Sequence, residues 1–210
     1  MNGLGMAEVL TGIGGRLRDV RVKAGISQRE LARRLGLSPS LISQLESGLS
    51  KPSVGTLYAI VTELNASLDH IIRGDNGATS EERDRLDQRA ARSPLVHPNE
   101  RKAVELGSGV RWEQVTRDTE QGIDFLYAIY EVGGASTPDE SLMRHHGHEY
   151  GYVISGTLGI QLGFDRYELG PGDSIDFEST QPHRLHNIGD QPVHAIWLVI
   201  GRGADTRLHE

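Results

Sequence analysis

The chain of 210 residues contains no cysteine, and aromatic residues make up only 5% of it. The lack of cysteine excludes disulfides, thiolate zinc sites and a cysteine nucleophile, and it fits a reducing compartment. No apolar run approaches the roughly 18 residues of a membrane-spanning helix, and the start, MNGLGMAEVL, lacks the basic flank of a secretory signal. We therefore expect a cytoplasmic protein with aliphatic cores, no membrane partner and room for two modest domains.

The formal net charge of −7 is unevenly distributed along the sequence. Residues 1–73 carry nine Lys and Arg against six acidic residues, a balance of +3 that leaves −10 for the remainder. A basic first third joined to an acidic body is typical of a protein that contacts DNA through its first part alone. Charge asymmetry without any partner is also common, so this feature supports the motif described next without proving it.

Residues 27–46 predict two short helices on either side of Gly36. The first begins with a capping box formed by Ser27 and Glu30, and Gly36 offers the left-handed exit that a helix end favours. Ser38 is the N-cap of the second helix. Apolar residues recur at helical spacing in both: Leu31, Ala32, Leu35, Leu41, Ile42 and Leu45. Helices joined by so short a turn cannot lie antiparallel, so the outer face of the second is free to enter a groove.

That outer face carries Ser40, Ser43 and Gln44. Small polar residues near a helix N-terminus allow a close approach, and the free amides there favour phosphate. Gln44 can present a donor and an acceptor together to the edge of adenine in the major groove. Lys51 follows in a loop and is placed to contact phosphate. Double-stranded DNA is the partner that this chemistry favours; the alternative is a small helical bundle with an ordinary polar face.

This pattern resembles a lambda-repressor-type (Xre-type) helix-turn-helix domain, which we place at residues 12–73. The resemblance implies a five-helix bundle with an internal ion pair between Arg21 and Glu46. It also implies a phosphate contact from Gln28 and base contacts from the outer face of the second helix. The predicted DNA-binding residues are Gln28, Arg29, Ser38, Pro39, Ser40, Ser43, Gln44 and Lys51.

A polar stretch at 74–93 predicts a linker, and a different sequence pattern at residues 94–203 predicts a second domain. Short β-rich runs alternate there with glycine-rich turns, without intervening helical patterns. The predicted strands are Val110–Gln114, Ile123–Val132, Tyr150–Ile154, Leu158–Leu162, Ser174–Phe177, His183–Asn187 and Val193–Ile200. Strands at this spacing predict an antiparallel barrel or sandwich, so the fold class is α + β with two domains.

Six of the nine histidines lie between residues 145 and 194. Alternation along a strand places His145 and Glu149 on one face, with His146 and His148 on the other. His183 starts a later strand and could complete a three-ligand set. Two histidines and a carboxylate with open positions suit Fe(II), Mn(II), Ni(II) or Zn(II). Residues of the same parity are predicted to line a ligand pocket: Met143, Gly151 and Val153.

The second domain resembles a small cupin over about residues 105–200. The residues that carry the resemblance are Glu149 with Gly156, then Gly170-Pro171-Gly172-Asp173, Pro182-His183 and Asn187. The resemblance implies a double-stranded β-helix barrel whose mouth holds a metal. The sequence departs from the cupin pattern at Met143, where a first metal histidine usually stands. Two alternatives stay open: a divalent metal on His145, Glu149 and His183, or a hydrogen-bonded polar pocket that binds an organic ligand directly.

The two resemblances together predict a transcriptional regulator that reads DNA and senses a small-molecule effector. A homodimer on a palindromic operator is expected, because symmetric half-sites match a two-fold protein. The rival is a non-haem iron oxygenase, since the hydroxypropylphosphonate epoxidase type also carries a helix-turn-helix-like domain before its cupin. A cupin isomerase or storage-type binder would leave the reading motif unexplained.

Overall fold

The computed structural model describes residues 12–66, 68–73, 94–116 and 122–201. The predicted linker at 74–93, and with it the boundary between the predicted domains, lies outside the described residues. Within the described part of the chain, no helix combines the length and the apolar character that crossing a membrane requires.

In the described residues, the first domain contains five helices: α1 Ile13–Lys23, α2 Gln28–Leu35, α3 Pro39–Glu46, α4 Val54–Glu63 and α5 Leu68–Arg73. Their apolar stripes meet in one aliphatic core, as the sequence pattern predicts: Leu17, Leu31, Ala32, Ile42, Leu45, Leu57, Ile60, Val61, Leu68 and Ile71. Gly14 lies where α1 crosses α3, and a Cβ at this position would be 2.3 Å from the carbonyl oxygen of Leu45. The crossing is therefore close enough to require glycine on α1.

Side-chain caps set the start of three of these helices. The hydroxyls of Ser27, Ser38 and Ser53 each accept a hydrogen bond from the backbone N–H three residues later, at 3.1 Å. Gly36 ends α2 in the left-handed conformation with φ of 66°. The predicted helix-turn-helix geometry is therefore present, with α3 starting three residues after Gly36.

The capping box expected at the start of α2 is formed only in its first half. Ser27 accepts from the N–H of Glu30, but the Glu30 carboxylate accepts from Arg33 at 2.9 Å and from Arg34 at 2.7 Å. Charge-assisted hydrogen bonds with two guanidinium groups on the same turn are stronger than one bond to a neutral backbone amide. The expectation that Glu30 reaches back to the cap was therefore wrong.

The part of the second domain that the structure describes contains nine strands: β1 Ala103–Leu106, β2 Val110–Gln114, β3 Ile123–Tyr130, β4 His148–Ser155, β5 Leu158–Leu162, β6 Asp165–Leu169, β7 Ser174–Glu178, β8 His183–Asn187 and β9 Val193–Ile200. A short 3-10 turn at Pro98–Glu100 precedes them. They build a six-stranded sheet of order β1-β2-β3-β9-β4-β7 and a three-stranded sheet of order β6-β5-β8, with antiparallel pairing throughout. This arrangement confirms the α + β fold class with an antiparallel cupin domain.

Trp197 on β9 occupies the space beside Gly151 on β4. The two residues are paired in register, and a Cβ on Gly151 would lie 2.1 Å from the Trp197 ring. The indole therefore crosses β4 at the one residue that has no side chain. This packing brings the indole N–H to the interior of the barrel, near Glu149.

The helical domain packs directly on the barrel at the N-terminal end of α4. The N–H of Gly107 donates to the carbonyl of Pro52 at 2.7 Å, and the N–H of Gly55 donates to the carbonyl of Ser136 at 3.0 Å. A Cβ on Gly55 would lie 3.4 Å from Cβ of Met143. The first turn of α4 is thus seated against the loop of the barrel that leads to the histidine cluster.

Candidate nucleic-acid interface and metal centre

The polar face of α3 points away from the rest of the protein. Ser40, Ser43 and Gln44 are exposed, and so are Ser38 and Pro39 at the start of the helix. The opposite side of the helix buries Ile42, Leu45 and Glu46. The barrel leaves this face uncovered, so the side chains predicted to contact bases are accessible to a duplex.

A buried ion pair fixes the angle between the helices beneath that face. Arg21 on α1 donates from Nη2 to Oε2 of Glu46 on α3 at 2.8 Å, and from Nη1 to the carbonyl of Ile26 at 2.7 Å. Both charged residues are less than 9% exposed. The hydrogen bond with Glu46 raises the pKa of Arg21 further above its ordinary value. The ion pair implied by the family resemblance is therefore present.

Gln28 lies at the edge of this ion pair. Its Nε2 donates to Oε2 of Glu46 at 2.7 Å. A side-chain amide has two N–H donors, so one remains for a phosphate contact while the other anchors the side chain. Arg29 and Lys51 are exposed, whereas Arg34 is tied to Glu30 on its own helix and to Glu63 on α4.

His145, Glu149 and His183 converge inside the barrel. All three side chains are buried, and one ligand atom from each lies within 4.8 Å of the other two. Oε1 of Glu149 is 3.0 Å from Nε2 of His145 and 3.2 Å from Nε2 of His183. Glu149 projects inward from β4 and His183 from the first residue of β8, while His145 lies in the loop before β4. The predicted three residues therefore share one site.

The hydrogen bonds of the two imidazoles define which of their atoms face this site. Nδ1 of His145 is 3.0 Å from the carbonyl oxygen of His146, and Nδ1 of His183 is 2.9 Å from that of Gln181. A carbonyl only accepts, so each Nδ1 carries a hydrogen, and in the neutral form of each imidazole Nε2 presents a lone pair.

When both imidazoles are neutral, three acceptor atoms consequently point at one another. Within the described part of the chain, Nε2 of His145, Oε1 of Glu149 and Nε2 of His183 have no hydrogen-bond partner. Buried acceptors without a partner cost free energy, and a bound cation removes that cost. The donor set and its geometry are compatible with a divalent metal.

Glu149 is held in place by a second group. Nε1 of Trp197 donates to Oε2 of Glu149 at 2.6 Å, which leaves Oε1 for the centre of the cluster. Burial raises the pKa of Glu149, but hydrogen bonds and charge from His145 and His183, when their imidazoles are protonated, outweigh this effect and hold the pKa well below its ordinary value. A charged carboxylate oriented by a hydrogen bond from outside the ligand set is typical of metal sites in proteins.

The predicted pocket residues have different surroundings from one another. Val153 is fully buried in the barrel core, and the Trp197 ring fills the space next to Gly151. Met143 is half-buried, and its backbone exchanges two hydrogen bonds with His183, at 2.9 and 2.8 Å. Of the three, Met143 lies nearest to the helical domain, where it faces Gly55.

Sequence reasoning did not predict Tyr58, which also borders the cluster. Its ring stacks on that of His145, with centroids 4.2 Å apart and an angle of 19° between the planes. It also packs edge-on against Trp112, at 5.5 Å. Tyr58 lies on α4, and no local pattern relates it to a histidine 87 positions away. Only the packing of the two domains brings them together.

The fold and the two sites define a helix-turn-helix domain joined to a cupin barrel. The family profile described as "Helix-turn-helix" matches residues 17–71, and the profile described as "Cupin domain" matches residues 126–199. The chain therefore contains a helix-turn-helix segment and a cupin segment, and it is similar in sequence to HTH-type transcriptional regulators.

Two curated relatives extend this likeness over most of the chain. The HTH-type transcriptional regulator PuuR of Escherichia coli is 27% identical over 176 residues, which cover 83% of this chain and 86% of PuuR. The HTH-type transcriptional regulator SutR of Escherichia coli is 27% identical over 186 residues, 87% of this chain and 91% of SutR. Among solved structures, an HTH_3 family transcriptional regulator from Vibrio cholerae matches with a TM-score of 0.62 at 20% identity, covering 92% of this chain and 97% of that one. This last comparison shows that the fold is shared.

Proposed function

We propose that this protein is a sequence-specific DNA-binding transcriptional regulator whose cupin domain senses a small-molecule effector. The observation that carries the proposal is the exposed polar face of α3, which the barrel leaves uncovered. The names of the curated relatives support it, because both are HTH-type transcriptional regulators. A regulator of this kind acts where the DNA is, so we expect it in the cytoplasm.

In this proposal the residues of the α3 face divide into two roles. Ser40, Ser43 and Gln44 contact base edges, and Arg29 and Lys51 contact phosphates. Phosphate contacts set affinity and its salt dependence, whereas base contacts set sequence preference. Ser38 and Pro39 place the N-terminus of α3 at the duplex, where its free amides favour phosphate. Gln28 supplies its remaining N–H to a phosphate from the edge of the Arg21–Glu46 ion pair.

Selection of binding sites from a random duplex library tests this function. The full chain is expected to enrich one two-fold symmetric sequence. Gln44→Ala is expected to lose preference at one base pair in each half-site, while Thr62→Ala, an exposed polar change on α4, leaves the selected sequence unchanged. A library that shows no enrichment after repeated rounds with the wild-type chain would contradict the proposal.

The proposed homodimer is supported by an apolar face on the outside of the six-stranded sheet. Three adjacent strands align two rows of apolar side chains there, and we name this patch the outer sheet face: Phe125, Leu198 and Tyr150, then Tyr127, Ile196 and Tyr152. Large contiguous apolar patches on a surface mark interaction sites. A second copy of the chain is the partner that fits, because a palindromic operator requires two reading heads related by a two-fold axis.

The dimer is tested by comparing two tyrosines of equal exposure. Tyr152 on the outer sheet face is 48% exposed, and Tyr167 on the other sheet is 45% exposed. Light scattering during gel filtration is expected to give a dimer mass for the wild type and for Tyr167→Asp, and a monomer mass for Tyr152→Asp. A dimer that survives Tyr152→Asp, or a wild-type monomer, would place the interface elsewhere or remove it.

The cupin site would hold one divalent ion, chosen among Fe, Mn, Ni and Zn, on His145, Glu149 and His183. Three protein ligands leave coordination positions to which an effector can bind. The convergence of three unpartnered acceptors supports this assignment. Elemental analysis and native mass spectrometry of the purified protein test it, with one equivalent of metal expected in the wild type and a loss of that metal expected in His183→Ala.

A second candidate function rests on the same cluster. Two histidines and one carboxylate with open positions are also the ligand set of non-haem iron oxygenases. Anaerobic loading with Fe(II), followed by a screen for substrate-dependent oxygen consumption, tests this function. The exposed α3 face favours the regulator, because an oxygenase has no use for it.

A further inference from the structure

Tyr58 lies in the DNA-binding domain, and its ring contacts His145 of the proposed metal site. The side chain is 4% exposed, and its ring covers one face of the His145 imidazole at a centroid distance of 4.2 Å. The ring of His183 packs edge-on against the same imidazole, at 5.3 Å. The orientation of His145 therefore depends on two rings, and one of them belongs to the other domain.

Helix α4 contacts both the barrel and the other helices of its own domain. On the barrel side, Gly55 donates to the carbonyl of Ser136 at 3.0 Å, and a Cβ at this position would lie 3.1 Å from Thr137 and 3.4 Å from Met143. On the DNA side, Leu57 on α4 and Leu31 on α2 belong to the same buried core. Arg34 on α2 bonds to Glu63 at the far end of α4, at 2.9 Å. A shift of α4 is therefore transmitted to α2, which packs against α3.

We propose that Tyr58 is a positioning residue that couples the cupin metal site to the DNA-reading helices. It holds His145 in the orientation in which Nε2 faces Glu149 and His183. A ligand that changes the position of His145 changes the packing of Tyr58, and with it the position of α4. This inference rests on the proposed function, because it assigns the route by which the cupin site regulates the DNA-binding domain. Linkage makes the effect reciprocal, so DNA binding changes metal affinity by the same factor.

Cobalt(II) is a suitable probe, since its visible absorption bands report the geometry of His and carboxylate ligands. We compare the wild type, Tyr58→Phe, Tyr58→Leu and the control Tyr167→Phe, all as full-length chains. Tyr58→Phe keeps the stacked ring, and Tyr58→Leu keeps apolar volume but removes it. Thermal unfolding of each variant without metal establishes that it is folded.

Two measurements are made on each protein: the Co(II) spectrum with its dissociation constant, and hydrogen exchange of the α4 backbone amides with and without Co(II). In the wild type, Tyr58→Phe and Tyr167→Phe, we expect one common spectrum and a Co(II)-dependent change of α4 exchange. In Tyr58→Leu we expect an altered spectrum, Co(II) affinity lower by about 5-fold to 150-fold, the usual range of allosteric coupling, and α4 exchange that no longer responds to Co(II).

The same spectrum, affinity and α4 response in Tyr58→Leu as in the wild type would overturn the inference. A wild-type protein in which Co(II) leaves α4 exchange unchanged would overturn it as well. Neither measurement needs DNA. The coupling through Tyr58 can therefore fail independently of the proposed function, which the library selection tests. If the duplex library is not enriched, but α4 exchange changes with Co(II) in the wild type and not in Tyr58→Leu, the coupling is supported and the DNA-reading function is contradicted.

Discussion

The α3 face and the histidine cluster are both groups of polar side chains with unused hydrogen-bonding capacity, but they differ in exposure. Ser40, Ser43 and Gln44 are exposed, so water satisfies them until a partner arrives. His145 and Glu149 are buried, and their facing atoms have no partner in the described part of the chain. An exposed set costs little to maintain and suits a large reversible partner such as DNA. A buried set is costly unless occupied, which suits an ion.

Each region also depends on a buried support that orients it. Glu46 lies beneath the α3 face and ties α3 to α1 through Arg21. Trp197 lies behind Glu149 and fixes its carboxylate. The difference is that the first support carries charge and the second is a neutral donor. Replacing each support therefore tests how strongly the two regions depend on what lies under them.

The largest expected effect is on stability, from Glu46→Ala. This change leaves the buried guanidinium of Arg21 without its carboxylate, which costs about 3–5 kcal/mol of unfolding free energy. Urea unfolding followed by circular dichroism measures it. Glu63→Ala is the matched control, because Glu63 makes a single ion pair with the more exposed Arg34, and a much smaller change is expected. Equal losses of unfolding free energy in the two variants would show that the Arg21–Glu46 pair stabilises the fold no more than the Arg34–Glu63 pair does.

Next in size is the effect of Gln44→Ala on DNA affinity. Loss of a bidentate contact with a base costs about 1–3 kcal/mol, or roughly 5-fold to 150-fold in the dissociation constant. Fluorescence anisotropy with the selected duplex measures this loss, while affinity for a scrambled duplex should stay the same. A parallel loss on both duplexes would instead assign Gln44 to phosphate contact.

Trp197→Phe is expected to weaken metal binding by about 10-fold to 100-fold, the usual effect of removing a group that orients a metal ligand. The change deletes the N–H donor to Glu149 and keeps an aromatic ring beside Gly151. Calorimetric titration with Zn(II) measures it. Reduced stability with unaltered Zn(II) affinity would mean that Trp197 serves only the packing of β4 against β9.

The smallest expected effect is a pH dependence at His148, on the outer side of β4. Hydrogen bonds from its ring to Glu178 and Asp176, against the opposing effect of burial, raise the pKa of His148 above 6.5. The folded state then binds the proton more tightly, so this stabilisation is full below pH about 6.5 and is lost as the pH rises through the raised pKa. The difference in urea midpoint between wild type and His148→Gln should be larger at pH about 6 than at pH about 8.5. A difference in urea midpoint that grows with pH would contradict this prediction.

Features that depend only on residues close to one another in the sequence could be predicted from it. Serine caps, Gly36 and the apolar stripes fix the helix-turn-helix, and seven strands follow from β-rich runs between turns. Strand β1 was missed because it has four residues, and β6 because four of its five residues are exposed at a sheet edge. Glu30 differed from expectation because two arginines on its own helix compete for its carboxylate.

The candidate metal site likewise contains residues that the local sequence predicts and residues that it does not. The alternation of side chains along a strand predicted that His145 and Glu149 lie on the same side. The two residues do lie together, although His145 precedes the first residue of β4. Trp197 and Tyr58 escaped prediction as neighbours of that site. The position of Trp197 depends on the register of β9 against β4, and that of Tyr58 on the packing of one domain on the other. Neither relation is encoded in a local pattern.

The central claim, that the α3 face reads DNA sequence, is tested most directly by anisotropy titrations at physiological salt. The wild-type chain is titrated with the duplex that the library selection yields and with a scrambled duplex of equal length and composition. We predict that the selected duplex binds at least about 1,000-fold more tightly, as specific regulators do. Equal affinity for the two duplexes would contradict the account.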